Sequence, residues 1–222
     1  MHKIFAYLLL FVFATSSLSV SAQKMISEGM VKYTLQVQGG EKEAELLNGT
    51  EVTIRVKGMQ SRQDRIGKLG KETSTFDAKS SKGSILKSYA GQDLLIDLSA
   101  EEWKLAKQLY HSLNFSPGKE IVTIGKFTCQ TATAEAGDGS GYRYTVYFDP
   151  NLSFSNRDFE FSFGKIIGLP VRIDVMSDKL TFRYELTAFN TDPISYGVFD
   201  MPKGLRVISY KDFIQLQKGK KN

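Results

Sequence analysis

The amino-acid sequence predicts a mostly β protein: a curved antiparallel sheet, in effect a half-barrel, with one central amphipathic helix and a short C-terminal helix at 210–217. Three observations carry this. Residues 30–38 alternate without a break, with Val31, Tyr33, Leu35 and Val37 on one side and Lys32, Thr34, Gln36 and Gln38 on the other, so they form a strand with one wet face. Short alternating runs then recur at about the 8–12-residue spacing of β-meanders. Residues 99–113 alone carry a long helical period: Trp103, Leu105, Ala106, Leu109, Tyr110 and Leu113 share one half of the wheel, and Glu101, Lys104, Lys107, Gln108 and His111 the other.

Taken in order, residues 1–22 have the form of a secretory signal peptide: Lys3, an apolar run at 4–13, then small residues ending in Val20-Ser21-Ala22. The apolar run is too short for a transmembrane helix. Its cleavage would leave 23–222 as a single β-rich domain, exported to the periplasm or outer-membrane-associated, and not an integral membrane protein. After the strand at 30–38, Gly39-Gly40-Glu41-Lys42-Glu43 reads as a solvated turn, and Val52, Ile54 and Val56 alternate with Thr53, Arg55 and Lys57 in a second one-sided strand. The polar run at 60–65 reads as a strand whose Arg62 and Arg65 either rim a cavity or protect a sheet edge.

Three more strands are expected at 70–78, 83–90 and 92–98, and then the helix, whose Ser99 and Glu102 have capping-box spacing. Residues 121–134 and 142–148 read as the two arms of a hairpin about Gly137-Asp138-Gly139-Ser140-Gly141. The aromatic-rich linker 152–163 carries Phe154, Phe159, Phe161 and Phe163; three of these fall at i, i+2, i+4, which suits an extended segment packed on one side. Strands at 171–175 and 180–186 close the pattern.

Composition excludes several chemistries. Without Lys3, 28 basic against 24 acidic residues leave a formal charge of +4, too mild for a nucleic-acid binder. Beyond residue 22 there is one histidine, His111, and the chain's one cysteine is Cys129, which rules out most metal sites that need several imidazole or thiolate ligands, and no cofactor is expected. Cys129 reads as a small buried hydrophobe beside Phe127, without a partner for an internal disulfide. The 137–141 glycines lack the Lys-Ser/Thr of a phosphate loop, and the acids Asp158 and Glu160 are ordinary in a polar segment. No catalytic residue is assigned, and the expectation is that the protein is not an enzyme.

Four segments in order, Glu28-Gly29-Met30-Val31-Lys32-Tyr33, Asp93-Leu94-Leu95-Ile96-Asp97-Leu98, Ile124-Gly125-Lys126-Phe127-Thr128-Cys129 and Ile167-Gly168-Leu169-Pro170, resemble secreted Gram-negative envelope proteins of unknown function related to the GLPGLI family. Proteins of this kind look like the lipoprotein carrier and receptor superfamily of LolA and LolB, a half-barrel whose helices plug an apolar concave face. The resemblance implies a binder or carrier of a lipid or lipoprotein acyl chain. On that reading the helix face Trp103, Leu109 and Tyr110 lines a cavity with the inward residues Val52, Ile54, Val56, Tyr144, Val146, Phe182 and Tyr184, and Arg62 and Arg65 stand at its rim. The alternative is a filled core in a structural or interaction module that meets another envelope protein through strand edges or the 152–163 linker.

Overall fold

The computed structural model describes residues 23–219 apart from 138, 160, 162, 164 and 165, and the side chains of 107–112 and 217–219 also lie outside the described set. The signal-peptide expectation for 1–22 therefore falls outside the described residues. Along the chain come β1 (Lys24–Ile26), β2 (Glu28–Gln38), α1 (Glu41–Leu47), β3 (Glu51–Lys57), β4 (Gln60–Gly67), β5 (Gly70–Asp77), β6 (Lys82–Tyr89) and β7 (Gln92–Leu98). These are followed by α2 (Ala100–Ser112), β8 (Ser116–Ile124), β9 (Phe127–Glu135), β10 (Arg143–Asp149), β11 (Leu152–Phe154), β12 (Leu169–Met176), β13 (Thr181–Asn190), a 3-10 turn (Tyr196–Phe199), β14 (Val207–Ser209) and α3 (Tyr210–Gly219).

Twelve strands make one curved, open sheet of half-barrel form in the order β14-β7-β6-β5-β4-β3-β2-β13-β12-β10-β9-β8. Its neighbours are antiparallel except β14, which runs parallel to β7. β1 and β11 pair separately, in parallel. The middle of the sheet is a long-range seam in which Val31 lies opposite Phe189 and Leu35 opposite Tyr184. Alternation puts Val31, Tyr33, Val52, Ile54, Val56, Tyr144, Val146 and Ile173 on one inner face, all buried.

Around β3 to β5 the outer face is mostly polar and cross-linked by charge. Asp64 sits at its centre: Arg55 Nη1 and Arg62 Nη2 each donate to it at 2.8 Å, and the Thr73 hydroxyl donates at 2.7 Å. Burial alone would raise this carboxyl, but the Arg62 and Thr73 hydrogen bonds and the charges of Arg62 and Lys71 outweigh it and hold it at about 2. Residues 191–206 cross this face as a strap. Arg62 Nη1 donates to the Val198 carbonyl at 2.7 Å, and Lys57 bonds both Glu28 and the Ile194 carbonyl.

Four expectations need correction. Residues 41–47 form a helix, not a turn, because Glu, Ala and Leu are strong helix formers and Gly39 and Gly40, at φ 77° and 57°, turn the chain into it. β4 is interior, between β3 and β5: Arg62 and Asp64 pair on the outer face and the Ser61 hydroxyl donates to the Asp158 carbonyl, so its polarity does not mark an edge. Residues 121–134 are not one strand: the chain reverses at Gly125-Lys126, with Gly125 at φ 59°, and β8 folds back on β9 as the sheet edge. The aromatics of the 152–163 linker turn inward rather than form an outer surface: Phe154, Phe161 and Phe163 are buried in the core and Phe159 packs half-buried against it.

Candidate functional site

The capping box of α2 is formed as the spacing predicts, with the Glu102 backbone N–H donating to Ser99 Oγ at 3.3 Å and the Ser99 N–H donating to Glu102 Oε2 at 2.8 Å. Ser99 is also the single residue between β7 and α2, so the helix folds straight back over β6 and β7. Trp103 there stacks on Phe76 and joins Ile96 and Leu98 in a second, smaller core cluster. A Cβ built on Gly83 would lie 2.4 Å from Trp103 Cε3, so the bare glycine backbone is the floor beneath the indole.

The predicted site is therefore divided. Val52, Ile54, Val56, Tyr144 and Val146 do share a face and a cluster, with Tyr184 packed against it and Phe182 half-buried opposite Val37 and Val175. Trp103 belongs to the other cluster, and the side chains of Leu109 and Tyr110 lie outside the described residues. What covers the central strands is the linker. Phe161 meets Tyr33 edge-on at 5.4 Å and Tyr184 at 4.8 Å, while Phe163 meets Phe115 at 5.2 Å. A residual cavity of about 10 Å³, lined by Phe154, Phe159, Phe161, Phe163, Ile166 and Leu169, is at the threshold for one water.

The two arginines do not act together. Three residues apart on a strand, they face opposite sides. Arg62 is opposite Arg55 on the outer face and bound to Asp64, and Arg65 is opposite Val52 on the inner one. Of the other residues considered for chemistry, the side chain of His111 and residue Glu160 lie outside the described residues. Cys129 is buried in β9, where desolvation and then the charge of Asp149 push its thiol up to about 11. Among the described residues no three His, Cys, Asp or Glu side chains converge to hold a metal ion.

Open space lies instead beside the second cluster. A groove of about 730 Å³ runs between α3 and the inner face of β6, β7 and β14, lined by Lys87, Tyr89, Gln92, Asp93, Leu94, Arg206, Ile208, Phe213 and Leu216. Register sets its composition in rows. Ile85, Ile96 and Ile208 lie side by side at the level nearer Trp103; one step outward stand Glu72, Lys87 and Leu94, with Arg206 just before β14. Lys87 is ion-paired to Glu72, and its ammonium lies 5.4 Å from the centroid of Phe213 and 5.9 Å from that of Tyr89. α3 is fixed over the groove at its start, where Ser209 Oγ accepts from the Asp212 N–H at 3.1 Å and donates to its carboxylate at 2.7 Å.

Sequence reasoning missed this groove. Its signal was the i, i+3, i+6 set Tyr210, Phe213 and Leu216 in the expected C-terminal helix, an apolar stripe that needed something to pack on.

No protein-family model and no curated protein matches the chain. Among solved structures it is similar to PNGF-II, with 13% identity, a TM-score of 0.51, and coverage of 85% of this chain and 33% of that one. The chain thus spans about a third of the length of PNGF-II, and the likeness is one of fold. Two further similar structures are an uncharacterised conserved protein of Thermus thermophilus and the Mycobacterium tuberculosis lipoprotein LppX. The first has 11% identity, TM-score 0.46, and covers 82% and 91% of the two chains; the second has 10%, 0.40, 79% and 90%.

Proposed function

We propose that the protein is an exported, non-catalytic binder or carrier of a hydrophobic ligand, a lipid or an acyl chain, and that the ligand lies under α3 rather than between α2 and the central strands. The observation that carries this is the groove of about 730 Å³, within the roughly 300–1,000 Å³ range of small-molecule sites. Leu94, Ile208, Phe213 and Leu216 make its lining largely apolar, its cover is a short helix, and the signal-like segment at 1–22 supports export. The central strands are a poorer place because the linker already fills their inner face.

Native mass spectrometry of protein purified from its own envelope tests the reading. A bound lipid is expected, and it should disappear with Leu94→Glu, which puts a charge on the groove floor. Lipid retained by a folded Leu94→Glu variant would move the site elsewhere. Absence of any bound species in the wild type would favour a second reading, an envelope interaction module, which the aromatic filling of the inner face supports; there, pull-down from intact envelopes should return a stoichiometric protein.

A further inference from the structure

The groove lining is apolar at Leu94, Ile208, Phe213 and Leu216 and charged at Lys87 and Arg206. In the charged row Lys87 is satisfied by Glu72, whereas the exposed Arg206 guanidinium has no ion pair among the described residues. Arg65 stands opposite Glu72 in the same row, so three cations, Arg65, Lys87 and Arg206, face one carboxylate at that level. Asp93 also borders the groove, but it is opposite Ser88 and so belongs to the other face of β7, reaching the mouth from the edge.

Resting on the groove reading above, we infer that the ligand is an amphiphile with an anionic headgroup. Its headgroup is held by Arg206, with Lys87 beside it, and its tail runs inward over Leu94 and Ile208 under Phe213. The tail is needed because an exposed arginine alone holds a small anion weakly, while each methylene buried on the apolar lining adds about fourfold in affinity. The surplus of cations over carboxylates at that level selects an anionic headgroup. A cationic amphiphile would meet Arg206 and Lys87 as like charges.

Titration calorimetry of the purified protein with dodecanoate, dodecanol and dodecylammonium tests this. Dodecanoate is expected to bind about tenfold or more tighter than dodecanol, with the advantage shrinking as salt is raised. Arg206→Gln should bring dodecanoate down to the dodecanol level and leave dodecanol unchanged; the residue is exposed, so folding is not at stake. Inorganic phosphate alone should not compete. Equal binding of all three amphiphiles, preference for dodecylammonium, or an Arg206→Gln variant that keeps the dodecanoate preference would each overturn the headgroup assignment and leave a hydrophobic groove standing. Failure of every amphiphile to bind would overturn the groove reading itself.

Discussion

The indole of Trp103 lies flat on the ring of Phe76, centroids 4.6 Å apart and planes 10° from parallel, and ties α2 to β5 across the glycine backbone of β6. Trp103 is the chain's only tryptophan, so the protein's tryptophan emission reports this site. Trp103→Ala should cost about 3–5 kcal/mol, as expected for a buried large aromatic. Gly83→Ala should cost about 1–3 kcal/mol and shift the emission, because the new methyl occupies the ring's place. A Gly83→Ala protein with wild-type emission and melting would show that the indole is not seated as described.

Asp64 makes the protein acid-sensitive in a defined window. Its carboxyl is held at about 2, below its ordinary value, so the folded state favours the ionised form. The stability this supplies is present above about pH 4 and is lost as pH falls from there through 2, amounting to about 2 kcal/mol. Asp64→Asn should cost about 3 kcal/mol near neutrality by leaving Arg55 and Arg62 without their carboxylate. The gap between mutant and wild type, from denaturant midpoints at pH 6 and pH 2.5, should narrow on acidification; an unchanged gap would contradict the hub.

Cys129 should resist thiol reagents at pH 8 in the folded protein and react fully once denatured. Burial keeps the thiol protonated well above that pH and also blocks approach. Rapid labelling of the native protein with a colorimetric disulfide would mean that β9 opens locally.

Ser209→Ala should loosen α3 by about 1 kcal/mol, since it removes the hydroxyl that accepts the Asp212 N–H. Loss of amide-exchange protection in 210–216, with the Trp103 emission unaltered, is the expected signature. Unchanged exchange would mean that the helix is held by Phe213 packing alone.

Local chemistry in this chain was legible, while long-range order was not. The alternation of β2, β3 and β13 and the Ser99–Glu102 cap are written within ten residues and form as read. Val52, Ile54, Val56, Tyr144 and Val146 were correctly given one face. Their assignment beside Trp103 failed because the one-residue link at Ser99 lays α2 over its own hairpin, and nothing local says that Phe161 and Phe163 take the vacant place. The groove was hidden for a related reason. β14 is three residues long and joins β7 in parallel, a pairing that its own sequence does not announce.

The seam between β2 and β13 also orders events in time. β3 to β7 can zip as successive hairpins while the chain is still growing, but β2 finds its second neighbour only when residues 181–190 arrive, and β1 likewise waits for β11. Such distant pairings make closure slow, because chain entropy must be given up before the contacts return anything. Until then the polypeptide is two unjoined meanders, β2 to β7 and β8 to β12, and the curved sheet sets only when that seam closes.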